Sequence, residues 1–306
     1  MAAFNATVSQ TFKLHALPVR AKFVQGYTTT DAYTKSNFWA SDNGSYLTIA
    51  AFLHIPDAAD MDGWGHIVGN RRNLLQFENW ALGPVDKSFY IRATNVTDVG
   101  FFWDTGGIAT HGIDVGDWFA IMFSVDYSGV GVPPVLQLWT HKLGAAAAID
   151  LTGSGDLGTP ANGPVTLVFD EATPLEIASL PFNGEEADFN YCELYITNEY
   201  VDWSVLATRN KYVNPNNGIP IGLGVDGSDL TGTAAKIYIP DGDATNNIGT
   251  EGNFTELGAI TESTTGPREL GSMLIFASQP AITADYALYE SFGFPLSQSV
   301  TATVTP

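Results

Sequence analysis

The chain has 306 residues, enough for one large β domain or two smaller ones with a full core. Its 31 Gly, 16 Pro, 18 Phe, 12 Tyr and 7 Trp suit many short strands joined by tight turns and leave little room for long amphipathic helices. With 13 Lys plus Arg against 33 Asp plus Glu the formal charge is -20, which argues against bare nucleic acid or an anionic membrane as a partner.

Cys192 is the only cysteine, so no intrachain disulfide or cysteine-based metal cluster forms, and folding in a reducing cytoplasm is expected. The opening MAAFNATVSQTFKLHALPVR lacks a basic start followed by an apolar block, so no secretory signal is expected. The longest apolar runs fall far short of the ~20 residues of a membrane-spanning helix. A protein without an export signal still works outside the cell when it leaves in an assembled particle.

In chain order, residues 1–30 read as an opening strand or docking arm. The turn Ser41-Asp42-Asn43-Gly44 announces the first core strand, Tyr46 to Ile55. A loop, Pro56 to Trp64, carries Asp57, Asp60 and Asp62. Short strands are expected at Gly65 to Gly69, Asn73 to Ala81, Ser88 to Ala93 and Val99 to Trp103. The stretch Gly116 to Gly129 is central: Phe119, Ile121, Phe123, Val125 and Tyr127 fall on one side at a period of two, and Trp118, Ala120, Met122, Ser124 and Asp126 on the other. Its second, mixed face is expected to line a groove or meet a partner, and Val135 to Thr140 to pair with it antiparallel. Strands resume at Pro164 to Phe169, Leu175 to Leu180 and Phe189 to Thr197. Asn198 to Asn214 is the best helix candidate, capped by Asp202, with Val205, Leu206 and Tyr212 as packing positions. Residues 216–266 form an acidic, Gly/Asn/Asp-rich extension with seven acids and only Lys236 basic, and residues 267–306 add further strand-forming runs.

Laid out in this way, the chain resembles the concanavalin A-like lectin/glucanase jelly rolls, in particular the laminin-G-like domains of tailed-bacteriophage virion proteins. The resemblance rests on SYLTIAAFLHI with GHIVGN, on DWFAIMFSVDYSG with VLQLWTHKLG, on FNGEEADFNYCELYITNEYVDWS, and on the block RNKYVNPNNGIPIGLGVDGSDLTGTAAKIYIPDGDATNNIGTEGNFTELGAI. It implies an all-β antiparallel sandwich of jelly-roll type with extended terminal segments. The expected organisation is an arm at 1–30, a lectin-like domain at 31–215, the acidic extension at 216–266 packed on it, and C-terminal strands at 267–306. Both ends are expected to carry contacts with neighbouring copies or other virion proteins.

The glucanase branch of this fold class uses carboxylates in an E-x-D-x-x-E pattern, which does not occur; Glu185, Glu186 and Asp188 read as part of a turn, and no catalytic residue is assigned. Asp226-Gly227-Ser228-Asp229 and Asp241-Gly242-Asp243 put hard oxygen ligands in glycine-flexed loops, which suits Ca²⁺ although no cofactor is required; the alternative is two Asp-Gly turns. For sugar binding, an aromatic face with nearby Asn or Asp groups is needed, which singles out Trp64, Trp80 and Trp103 with Asp62, Asn79 and Asp104; core packing is the competing role. Trp118 and Trp139 read as core. The expected function is a non-enzymatic, oligomeric structural protein on the outside of a tailed phage particle, binding host-surface polysaccharide. The alternative is a secreted carbohydrate-active enzyme or a free carbohydrate-binding module.

Overall fold

The computed structural model describes residues 21–25, 31–36, 44–54, 63–70, 73–79, 87–95, 97, 99–104, 112–114, 116–154, 159–168, 174–180, 185–186, 188–263 and 266–267. The chain divides into two compact units, 1–269 and 270–306, and every described residue falls in the first. The expected C-terminal strands therefore lie outside the described residues, as do residues 1–20 of the N-terminal arm.

Seventeen strands run through the described residues in chain order: β1 Lys22–Gln25, β2 Ala32–Lys35, β3 Tyr46–His54, β4 Gly63–Gly69, β5 Asn73–Asn79, β6 Lys87–Thr94, β7 Gly100–Asp104, β8 Trp118–Asp126, β9 Val135–Lys142, β10 Ile149–Asp150, β11 Leu175–Ile177, β12 Ser179–Leu180, β13 Glu185–Glu186, β14 Asp188–Thr197, β15 Ile237–Ile239, β16 Thr255–Leu257 and β17 Thr261–Glu262. One sheet has the order β10-β9-β8-β3-β14-β1-β17 with β15 also paired to β14, the other the order β16-β2-β11-β4-β5-β6-β7, and β12 pairs with β13 alone. The two large sheets pack as an antiparallel β-sandwich of jelly-roll type.

The period of two in β8 explains why it sits at the centre. Phe119, Ile121, Phe123 and Val125 enter the core between the sheets, where Phe119 meets Phe89 of β6 edge-on at 5.7 Å and Phe123 meets Phe101 of β7 at 5.9 Å. Each ring pair joins one sheet to the other across the inter-sheet layer.

The second face of β8 differs from expectation. Trp118, Ala120 and Met122 do not line a groove; they belong to a second buried cluster with Phe52, Trp203, Tyr212, Leu223 and Tyr238, so the chain's own downstream segment covers this face. The polar groups on that face hold the cover in place: Ser124 Oγ donates to the Val201 carbonyl at 2.6 Å, and Thr48 Oγ1 donates to the Glu199 carbonyl at 2.8 Å. The cover is tied to β14 by a buried network. Glu193, at a bulge with φ 50°, accepts the Tyr238 hydroxyl on its carboxylate at 2.7 Å and the Tyr212 hydroxyl on its carbonyl at 2.7 Å.

Two local expectations are corrected. The helix is only α1, Leu206–Tyr212; Asp202 accepts from Ser204 N at 3.0 Å and caps the preceding turn, while Val205 and Leu206 are 45% and 57% exposed and only Tyr212 packs. Pro164 to Phe169 is not a strand over its described residues. Val165, Leu167 and Val168 donate in turn to Tyr127, Gly44 and Thr94, three separate places, so no single ladder forms.

Candidate functional site

Register sorts the sugar-binding candidates Trp64, Trp103, Asn79 and Asp104. Across β4, β5 and β6 the row Val68, Leu75, Ile91 is buried in the core, and Trp103 of β7 pairs with Ile91 at the end of this row. Apart from Ile67, which the bulge between His66 and Val68 leaves in the core, the adjacent residues belong to the opposite, outer face. There the row His66, Gln76, Tyr90, Asp104 runs across four strands, beside the row Trp64, Glu78, Ser88. Thus Trp64 and Asp104, forty residues apart in sequence, share one face with Gln76 and Tyr90. Asn79 stands at the end of β5 opposite Gly63 and Lys87, and Asp62 and Trp80 lie outside the described residues. Tyr90, on this face, is half-buried. Tyr90, Gln76 and His66 went unnoticed in the sequence because their signal is parity along a strand and not proximity to a loop.

The outer face of the same sheet carries an unusual carboxylate further along. Glu176 of β11 pairs with Thr34 of β2 and with Gly69 of β4, is only 4% exposed, and accepts from Thr34 Oγ1 at 3.5 Å. Burial pushes its carboxyl up to about 7, and the Thr34 hydroxyl opposes this only weakly. Nothing in the pattern of β11 pointed to it, since LEI reads as an ordinary short strand.

Three of the four aspartates of the acidic extension, Asp226, Asp241 and Asp243, accept hydrogen bonds within turns. Asp226 Oδ1 accepts from Ser228 N at 3.1 Å, and the Ser228 hydroxyl first, then this backbone contact, hold its carboxyl below its ordinary value. Asp229 lies against Gly224, whose φ of +83° and missing side chain leave room for the carboxylate. Asp241 Oδ1 accepts from Asp243 N at 3.0 Å, and Asp243 Oδ1 accepts from Thr245 N at 3.1 Å at the start of a short 3-10 turn, Ala244–Asn246. Among the described residues no three His, Cys, Asp or Glu side chains converge to hold a metal ion. With Oδ1 of Asp226, Asp241 and Asp243 engaged in turns, NaCl and CaCl₂ matched for ionic strength are expected to raise the melting temperature equally, by screening. An extra rise in CaCl₂ that Asp241→Asn with Asp243→Asn removes would instead reveal a calcium site.

No family model matches the chain, and no curated protein matches it. Solved structures show a distant similarity to it. A protein from Bacteroides ovatus ATCC 8483 assigned to carbohydrate binding is 11% identical with a TM-score of 0.44, covering 81% of this chain and 60% of that one. The enzymatically active domain of tailspike protein 2 of bacteriophage CBA120 is 11% identical with a TM-score of 0.44, covering 76% of this chain and 34% of that one. Domains LG4-5 of the mouse laminin α1 chain are 12% identical with a TM-score of 0.33, covering 61% of this chain and 45% of that one. This chain therefore spans less than two thirds of each of them.

Proposed function

We propose that this protein is a non-enzymatic, lectin-like jelly roll that binds glycan, displayed with other virion proteins and copies of itself on the outside of a tailed phage particle. The observation that carries the glycan-binding reading is the outer face of β4 to β7, where register places Trp64 and Tyr90 among Gln76, Glu78 and Asp104. Aromatic groups suit the apolar face of a pyranose, and amide and carboxylate groups suit its hydroxyls. From β4 to β7 this face extends over three strand spacings, about 14 Å, so it fits an oligosaccharide better than a single sugar. The virion setting is supported by the sequence resemblance of the central strands and of the acidic block.

Glu176 favours a rival reading, because an acid held protonated near neutrality is what a glycosidase needs. Across β4 to β7 geometry opposes it: among the described residues of those strands, the carboxylates that register places on the same face are Asp104, four strand spacings away at about 19 Å, and Glu78, about 16 Å away. Sugar-bond hydrolysis by paired carboxylates needs about 5 to 9.5 Å.

The test is binding of the full chain to host-surface polysaccharide. Trp64→Ala is expected to weaken binding at least tenfold, about 1.4 kcal/mol, without a change in melting temperature, and no reducing ends should appear on prolonged incubation. Unchanged affinity in that variant would remove this face from consideration, and release of reducing sugar would replace binding by hydrolysis. Mass spectrometry of purified particles tests the virion setting separately.

A further inference from the structure

The segment that covers the outer face of the β8 sheet stops short of one corner. Along β8 the outer-face residues Trp118, Ala120, Met122 and Ser124 are buried, but Asp126 at the end of the strand is half-buried, and Val135, its partner in β9, is 51% exposed. Register arranges the outer face here in three rows: Tyr46, Asp126 and Val135; Thr48, Ser124 and Gln137; Ala50, Met122, Trp139 and Asp150. Tyr46, Gln137 and Trp139 are half-buried and Asp150 is exposed, so the rim of the sheet at β9 and β10 keeps access to solvent. Trp139, expected in the core, stands at this rim instead.

The aromatic side chains of this corner are fixed by their neighbours. Trp139 has the guanidinium carbon of Arg209 3.7 Å from its ring centroid and donates from Nε1 to Gln137 Oε1 at 3.2 Å. Arg209 itself is turned inward, 9% exposed and donating from Nη1 to the Trp203 carbonyl. Tyr200 joins from the cover. Thr48 Oγ1 donates to the Glu199 carbonyl and accepts from Val201 N at 3.2 Å, and Ser124 Oγ donates to the Val201 carbonyl, so residues 199–201 lie along the row whose next member is Gln137. Tyr200 is half-buried there. An indole whose N–H is satisfied and whose ring is held by a stacked guanidinium loses little freedom when a ligand meets it.

The charges of the corner select the ligand. Its carboxylates, Asp126 and Asp150, accept through Oδ1 from Ser128 N at 2.7 Å and Thr152 N at 2.9 Å, so each is anchored by one oxygen and offers the other to a hydroxyl donor. No Lys or Arg stands in the three rows, and Arg209 is committed to Trp139 and Trp203. Such a surface repels an anionic polymer and not a neutral one. From Tyr46 to Trp139 it spans two strand spacings and four residues along the strand, roughly 17 Å, room for several linked sugars. We infer that the corner formed by Tyr46, Gln137, Trp139 and Tyr200 is a second binding site, for neutral oligosaccharide, on the sheet opposite the Trp64 face, with Asp126 and Asp150 accepting from the sugar hydroxyls. The inference rests on the glycan-binding reading for the class of ligand alone.

Nuclear magnetic resonance of the full chain tests it, following the indole N–H groups of Trp139 and Trp64 during titration with cellohexaose, maltohexaose and mannohexaose, and with hexagalacturonate and hexalysine as charged probes. At least one neutral hexasaccharide is expected to shift the Trp139 resonance, with an affinity at least tenfold above that of either charged probe. Gln137→Ala and Tyr200→Ala are each expected to lower that affinity at least tenfold. The shift is read on the unaltered protein, so a folding defect in a variant does not leave the question open. A Trp139 resonance unmoved by all three neutral probes, unchanged affinity in both variants, or tighter binding of hexagalacturonate or hexalysine overturns the inference. Both indoles are read in the same spectra: a shift confined to Trp64 rejects this site and keeps the glycan-binding face of β4 to β7, whereas a shift confined to Trp139 does the reverse.

Discussion

Trp203→Ala is expected to destabilise the protein by about 3–5 kcal/mol, the range for removing a fully buried large aromatic side chain. Trp203 is 0% exposed and meets Tyr212 at 5.9 Å in the second buried cluster, where it lies between the covering segment and the outer face of the β8 sheet. Its loss opens a cavity that β3, β8 and β14 cannot collapse to fill, because their other face is already committed to the main core. The damage should also be local in character. Hydrogen exchange is expected to rise across 201–240 well before it rises in β3 or β8, since the cover is held by this cluster and by a few bonds such as Ser124 Oγ to Val201. Equilibrium denaturation with exchange measured by mass spectrometry checks both parts. A loss below about 1 kcal/mol, or uniform exchange, would mean that the cover is held elsewhere.

The second large effect is on the pH dependence of stability. The Glu176 carboxyl has a folded value of about 7 against an ordinary 4.5. Below the ordinary value both folded and unfolded chains hold the proton, and the stabilising preference for the protonated folded form is fully present. As pH rises from 4.5 through about 7 the unfolded chain releases the proton first, so this contribution is lost across that window and the ionised group is left buried beside Thr34. Glu176→Gln keeps the size and an acceptor for the Thr34 hydroxyl but carries no charge. At pH 8 it is expected to be more stable than the unaltered protein by up to about 3 kcal/mol, and at pH 4 nearly equal to it. Denaturation midpoints at the two pH values decide the matter; parallel profiles for the two proteins would rule out the buried carboxylate as the titrating group.

The alternation of WFAIMFSVD in β8 and of YLTIAAFLH in β3 is written in the residues themselves, because a strand's faces follow from a period of two that needs no knowledge of its neighbours. The same holds for the antiparallel pairing of β8 with β9 across a Gly and Pro break, and for the absence of a glucanase carboxylate pattern. What covers the second face of β8 was not written there. An apolar or mixed strand face states only that something must cover it, and the residues that do so, Trp203, Tyr212 and Tyr238, arrive some eighty or more positions later. The outer-face row His66, Gln76, Tyr90, Asp104 was hidden for a related reason: its members become neighbours only when the register of three strand pairs is set, and a bulge between His66 and Val68 shifts the parity of β4 on the way. Glu176 and Arg209 looked like ordinary charged residues of a short strand and a short helix. Their environments depend on burial by distant segments, which raises the cost of the charged form of each and which only the tertiary structure decides.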